Sequence, residues 1–179
     1  MAALPATLKA NPDSWLAHTN LGVALFKAGH LQDALAHYQQ AVRLNPDDAE
    51  IHYDLGVALV QAERLQEAIE QYQQALRLQP DHPEAHYNLG IVLSKTNQLP
   101  EAMQEYQAAL KLRPDFAEAR YNWGNALARA GRIDEAIEQY RQTLRLNPEF
   151  PGAQRNLGVL LSIQANRNGS LPGDDPSSP

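Results

Sequence analysis

Residues 83–116 read PEAHYNLGIVLSKTNQLPEAMQEYQAALKLRPDF, and this stretch decides the fold. Its landmarks are Leu89-Gly90, Ala102, Tyr106 and Pro114, and the same pattern recurs 34 residues away in both directions. Leu-Gly stands at Leu21-Gly22 and Leu55-Gly56, becomes Trp123-Gly124, and returns at Leu157-Gly158. Alanine repeats at Ala34, Ala68 and Ala136, tyrosine at Tyr38, Tyr72 and Tyr140, and proline at Pro12, Pro46, Pro80 and Pro148. A period of this length belongs to stacked helical hairpins, in which each unit touches only its neighbours.

Two helices fit inside each unit. In the first, Leu21, Gly22 and Leu25 share one face of a helix running from about Trp15 to Ala28. Gly29 supplies a left-handed stop, as do Asn97 and Gly131, whereas Glu63 should stop its helix less well. The second helix, about Leu31 to Leu44, buries Ala34, Leu35, Tyr38, Ala41 and Val42. Pro46 follows its end, and Pro100 falls in the first turn of the corresponding later helix, where a missing N–H costs little. Gly22 and Ala34 are expected to let the two helix backbones of a hairpin approach closely, and Ala41 to admit the next hairpin.

The units are expected at 15–48, 49–82, 83–116 and 117–150, with 151–165 as the first helix of a fifth. Residues 1–14 read as the end of a preceding unit, since Leu8-Lys9-Ala10-Asn11-Pro12 mirrors Arg43-Leu44-Asn45-Pro46. Residues 166–179, rich in Gly, Pro, Ser and Asp, read as a disordered tail.

Trp/His-x-x-Leu-Gly followed by Gly, Ala, Tyr, Ala and Pro at this spacing resembles the tetratricopeptide repeat. The resemblance covers 15–150 and departs where His18, His52, His86 and Arg120 replace the aromatic that often opens the first helix. It implies an all-α solenoid, a right-handed superhelix of antiparallel helix-turn-helix repeats. It also implies that the first helix of each repeat lines a concave face where partners bind.

On that face, opposite the Leu-Gly stripe, two ladders stand out. One is amide: Asn20, Asn88, Asn122 and Asn156, interrupted by Asp54, with Asn125 nearby. The other is aromatic: Tyr53, Tyr87 and Tyr121. Amides carry donor and acceptor and suit a peptide backbone, while tyrosine adds contact area at low entropy cost. Val23, Val57, Ile91 and Val159 form an apolar floor, and Lys27, Lys95, Arg129 and Arg155 add positive charge. The expected ligand is therefore an extended or helical peptide segment of a mildly acidic protein partner. Asparagine ladders of this kind resemble those of the O-linked sugar-transferase superhelix, so a second reading is the targeting portion of a larger enzyme. Chaperone-binding relatives grip a carboxylate with basic residues; here Glu50, Glu84 and Glu118 stand at those positions.

Other classes find little support. A net charge of −6 disfavours nucleic acid, and the absence of cysteine excludes disulfides and thiolate chemistry. No apolar run approaches the roughly 18 residues of a membrane span, and no secretory leader opens the chain, so the expectation is a cytoplasmic protein. His18, His52 and His86 sit one repeat apart, too far for one metal, and are expected to pack at hairpin interfaces. No cofactor, metal or catalytic group is expected. The uncovered C-terminal helix, with Leu157, Leu160, Leu161 and Ile163, suggests homo-oligomerisation through uncapped ends, partner docking as an assembly factor, or truncation of a longer array.

Overall fold

A computed structural model describes residues 13–169, with side chains placed through 166. Among the described residues the chain is wholly α-helical between turns, a solenoid of helix hairpins. The helices are α1 (Trp15–Lys27), α2 (Leu31–Leu44), α3 (Ala49–Gln61), α4 (Leu65–Leu78), α5 (Pro83–Lys95), α6 (Leu99–Leu112), α7 (Ala117–Arg129), α8 (Ile133–Leu146) and α9 (Pro151–Gly169). They fall into two compact units, 1–112 and 113–179. In the first, α1/α2, α3/α4 and α5/α6 form hairpins, and α2 packs on α3 as α4 packs on α5. In the second, α7/α8 form a hairpin and α8 packs on α9.

Each turn is built from local chemistry. Ser14 accepts from Ala17 N at 3.2 Å, and Asp48 from Glu50 N and Ile51 N at 3.0 and 3.3 Å, satisfying amides that a helix start leaves unpaired. Gly29 and Gly131 adopt φ of 80° and 76° at the hairpin turns. Glu63 and Asn97 adopt φ of 59° and 64° at the same place. Glu63 is thus no exception in conformation. Its N–H donates to Val60 O at 3.1 Å and the next, from Arg64, reaches Leu59 O at 2.9 Å, so the turn bonds hold it left-handed.

The core is a repeated pair, tyrosine over glycine. Tyr38, Tyr72, Tyr106 and Tyr140 are at most 2% exposed. A Cβ built on Gly56 or Gly90 would lie 2.7 Å from the Tyr72 or Tyr106 ring. The glycine therefore makes room for an aromatic ring, not for a second helix backbone as the spacing suggested. Ala34, Ala41, Ala68 and Ala75, fully buried, close the gaps around the ring.

His52 and His86 each tie their own hairpin to the turn that precedes it. His52 Nδ1 lies 2.7 Å from Gln71 Oε1 and its Nε2 lies 2.9 Å from Pro46 O. His86 repeats this with Glu105 at 2.6 Å and Pro80 O at 2.9 Å. Burial disfavours the His86 cation, but the Glu105 and Pro80 hydrogen bonds and the Glu105 charge outweigh it and hold the pKa above the usual value. Arg120 fills the same slot, donating to Pro114 O at 3.0 Å and to Gln139 at 3.4 Å.

One expectation about the ends changes. Helix α9 runs to Gly169, so residues 166–169 are helical rather than part of a tail. No proline intervenes before Pro172 to stop it. The remainder of the expected tail, 170–179, and the expected half-repeat over 1–12 lie outside the described residues.

Candidate functional site

Within the first unit the two ladders prove to be one structure. Asn88 Nδ2 on α5 donates to Tyr53 Oη on α3 at 3.1 Å. Tyr53 also packs against Tyr72 and His82, with ring centroids 6.0 and 4.7 Å away. Burial raises the Tyr53 pKa, with Glu84 and Glu50 adding to the shift, and the phenol stays neutral. Tyr87 packs on Tyr106 at 6.3 Å. Val57 and Ile91 are half-buried, while Asn20, Lys27 and Lys95 are exposed.

The break in the amide ladder has a cause. Position 19 carries Thr where the later repeats carry Tyr53, Tyr87 and Tyr121, and its hydroxyl donates to Trp15 O at 3.0 Å within its own helix. Asp54 therefore has no phenol one repeat earlier to receive an amide, and a carboxylate replaces asparagine. Burial pushes its pKa up to about 6, with Glu50 and Asp48 adding to the shift and Lys27 opposing it.

The second unit carries the more elaborate version. Asn156 Nδ2 on α9 lies 3.2 Å from Tyr121 Oη, 2.9 Å from Asn125 Oδ1 and 3.4 Å from Tyr140 Oη. Tyr140 Oη donates to Asn125 Oδ1 at 2.8 Å, and Asn125 Nδ2 to Asn122 Oδ1 at 3.3 Å. An amide has two hydrogens, so three acceptors around Asn156 share them. Tyr121 is wedged between Tyr140 and Phe150, centroids 5.8 and 4.9 Å away, and its hydroxyl lies over Gly152, where a Cβ would come within 2.6 Å.

Beside this network lies a depression of about 340 Å³. Ala128, Val159 and Leu160 make its apolar walls; Asn125, Asn156, Tyr140 and Arg129 bring polar groups to it. Of the predicted positions, Asn125, Arg129 and Asn156 line the depression; Tyr121 and Asn122 are tied to it through their hydrogen bonds with Asn156 and Asn125, whereas Arg155 is exposed and makes no part of the lining. Leu160, expected on an open end, is only 7% exposed and forms a wall of the depression. Leu157 is half-buried; Leu161 and Ile163 are exposed. The sequence reading missed Tyr140, treating it as core alone. A buried phenol needs a partner for its hydroxyl, and that need was the available signal.

Among the described residues no group of three or more His, Cys, Asp or Glu side chains is placed to hold a metal, and no helix is long and apolar enough to cross a membrane.

A family model described as tetratricopeptide repeat matches residues 53–117, and one described as TPR repeat matches 24–63 and 124–162. No curated protein matches the sequence. Among solved structures, YrrB, described as a TPR protein with an unusual peptide-binding site, is 30% identical, with a TM-score of 0.82 over 95% of this chain and 88% of that one. MamA is 28% identical, with a TM-score of 0.79 over 82% of this chain and 86% of that one. A MamA fragment from Desulfovibrio magneticus RS-1, 24% identical with a TM-score of 0.80, covers 93% of this chain and 90% of its own, and speaks to the fold alone. Hairpins repeated every 34 residues, a tyrosine seated over each hairpin glycine from Gly22 to Gly124, and a 30% identical relative of nearly equal extent lead to one conclusion: the chain belongs to the tetratricopeptide repeat family.

Proposed function

We propose that this chain is a protein-interaction scaffold that binds a peptide segment of a partner protein, and that the depression between α7 and α9 is its main contact. The observation that carries the reading is the joining of an apolar wall, Ala128 and Val159, to amides fixed by the Asn125–Tyr140–Asn156 network. Pre-positioned amides lose little entropy on meeting a peptide backbone, and the apolar walls supply burial. Arg129 on the rim favours a partner segment with a carboxylate side chain. The description of YrrB as a peptide-binding relative supports the same class of ligand.

Val159 is 54% exposed, so Val159→Glu changes the wall without disturbing the core. A displayed library of random peptides, selected against the wild type, should yield sequences enriched in Asp or Glu. Those peptides should lose binding to Val159→Glu and to Arg129→Glu. Enriched peptides that bind both variants as they bind the wild type would reject the assignment.

A further inference from the structure

Helix α9 has a second face, turned away from that depression, and the rest of the chain shows what such a face holds. In four hairpins the glycine of the first helix lies under the tyrosine of the second. A Cβ on Gly22, Gly56, Gly90 or Gly124 would stand 2.7–2.9 Å from that ring. Gly158 is the fifth member of the series, and apart from its chain neighbours and its own helix backbone nothing described lies within 4 Å of its Cβ position. One turn on, Leu161 is 37% exposed, whereas its counterparts Leu59, Leu93 and Leu127 are 2%, 4% and 0% exposed. Gln154 keeps half of its slot's bonding, donating to Pro148 O at 2.6 Å as His52, His86 and Arg120 reach Pro46, Pro80 and Pro114. In those three hairpins the same side chain also meets a polar residue one position before the tyrosine, Gln71, Glu105 or Gln139. Among the described residues Gln154 has no such second contact.

We propose that the Gly158 face of α9 docks an amphipathic helix of a partner protein, which seats a tyrosine over Gly158 and so completes a fifth hairpin in trans. Continuity with the four internal interfaces defines the ligand. It carries tyrosine preceded by Gln, Glu or His, with a small residue four positions before the tyrosine and another three positions after it, as in Ala68, Gln71, Tyr72 and Ala75. A second copy of this chain does not fit. Its second-helix tyrosines, Tyr38, Tyr72, Tyr106 and Tyr140, are all at most 2% exposed and committed to their own glycines. Residues 170–179 contain no aromatic side chain and so offer no ring either. The site differs from the α7–α9 depression and stands whether or not that reading does.

The chain itself supplies the probe: a fluorescent peptide with the sequence of Leu65–Leu78, stapled through positions 66 and 70, which are exposed in the hairpin. Stapling removes the cost of ordering a short isolated helix. The chain of residues 1–179 should bind it saturably in an anisotropy titration. A Tyr72→Ala version of the peptide should bind at least about tenfold more weakly, and so should the Gly158→Ala protein, whose added methyl takes the ring's place. Gly158→Ala leaves the free chain folded, since open space surrounds that position among the described residues. Absence of saturable binding, or binding indifferent to Gly158→Ala, would overturn the proposal. Concentration-dependent dimerisation in light scattering that Gly158→Ala abolishes would also overturn it, assigning the face to a second copy.

Discussion

The side-chain amide of Asn88 donates to the phenol oxygen of Tyr53, 35 residues earlier, at 3.1 Å. Asn156 and Tyr121 repeat the relationship at 3.2 Å. Asparagine and tyrosine therefore act as a clasp between the first helices of successive repeats.

A half-buried neutral hydrogen bond contributes about 1 kcal/mol to stability. Asn88→Ala should cost about that much in urea denaturation, and Tyr53→Phe a similar amount. The double variant should cost less than the two single costs together, because both remove the same bond. Asn156→Ala should cost more, about 2 kcal/mol, since Asn125 Oδ1 and two phenols lose a donor together. Full additivity of Asn88→Ala and Tyr53→Phe would show that the clasp carries no energy.

Asp54 gives the fold a pH dependence. Its pKa in the folded chain is about 6, above the ordinary 3.8, because burial, Glu50 and Asp48 disfavour the charge. An acid shifted upward stabilises the fold while protonated. That contribution is complete below about pH 4 and is lost as pH rises through about 6. Asp54→Asn should therefore raise stability near pH 8 by on the order of 1 kcal/mol, a figure reduced for its partial exposure to solvent. The gain should fade toward pH 4, as followed by thermal melts across that range. A gain independent of pH would show that charge is not its origin.

Nearly all of the backbone is legible in the 34-residue repeat. The period, the prolines and the turn residues Gly29, Asn97 and Gly131 mark where helices begin and end, because those residues act locally. The clasp was harder to see. Asn88 and Tyr53 were both legible as face residues, but a ladder on paper has no third dimension, and two parallel rows conceal that one row holds the other. Tyr140 was hidden for a related reason: its ring marks it as core, while its hydroxyl reaches Asn125 at the depression. The ring over glycine was likewise out of reach, since spacing alone cannot say whether a missing Cβ makes way for a backbone or for a side chain.

Two glycines in equivalent positions should respond in opposite ways to the same methyl group. Gly56→Ala forces a contact at 2.7 Å with the buried Tyr72 ring and should cost about 1–3 kcal/mol. Gly158→Ala meets nothing described within 4 Å beyond its chain neighbours and its own helix backbone and exchanges a poor helix former for the best, so it should stabilise the chain by up to about 1 kcal/mol. Differential scanning calorimetry of both variants against the wild type tests the pair. Equal destabilisation by the two would mean that the Gly158 face is already filled.

Glu63 sits at φ 59°, where its Cβ crowds the following carbonyl oxygen. Gly29 and Gly131 hold the same turn without that strain. Glu63→Gly removes the crowding, worth roughly 1–2 kcal/mol, but frees the unfolded chain by part of that amount. The net expectation is a gain of about 0.5–1 kcal/mol, seen as a melting point higher by a few degrees. Asn97→Gly at φ 64° should gain less, because asparagine tolerates the left-handed region better than glutamate. A larger gain at Asn97 than at Glu63 would mean that backbone strain does not set the stability of these turns.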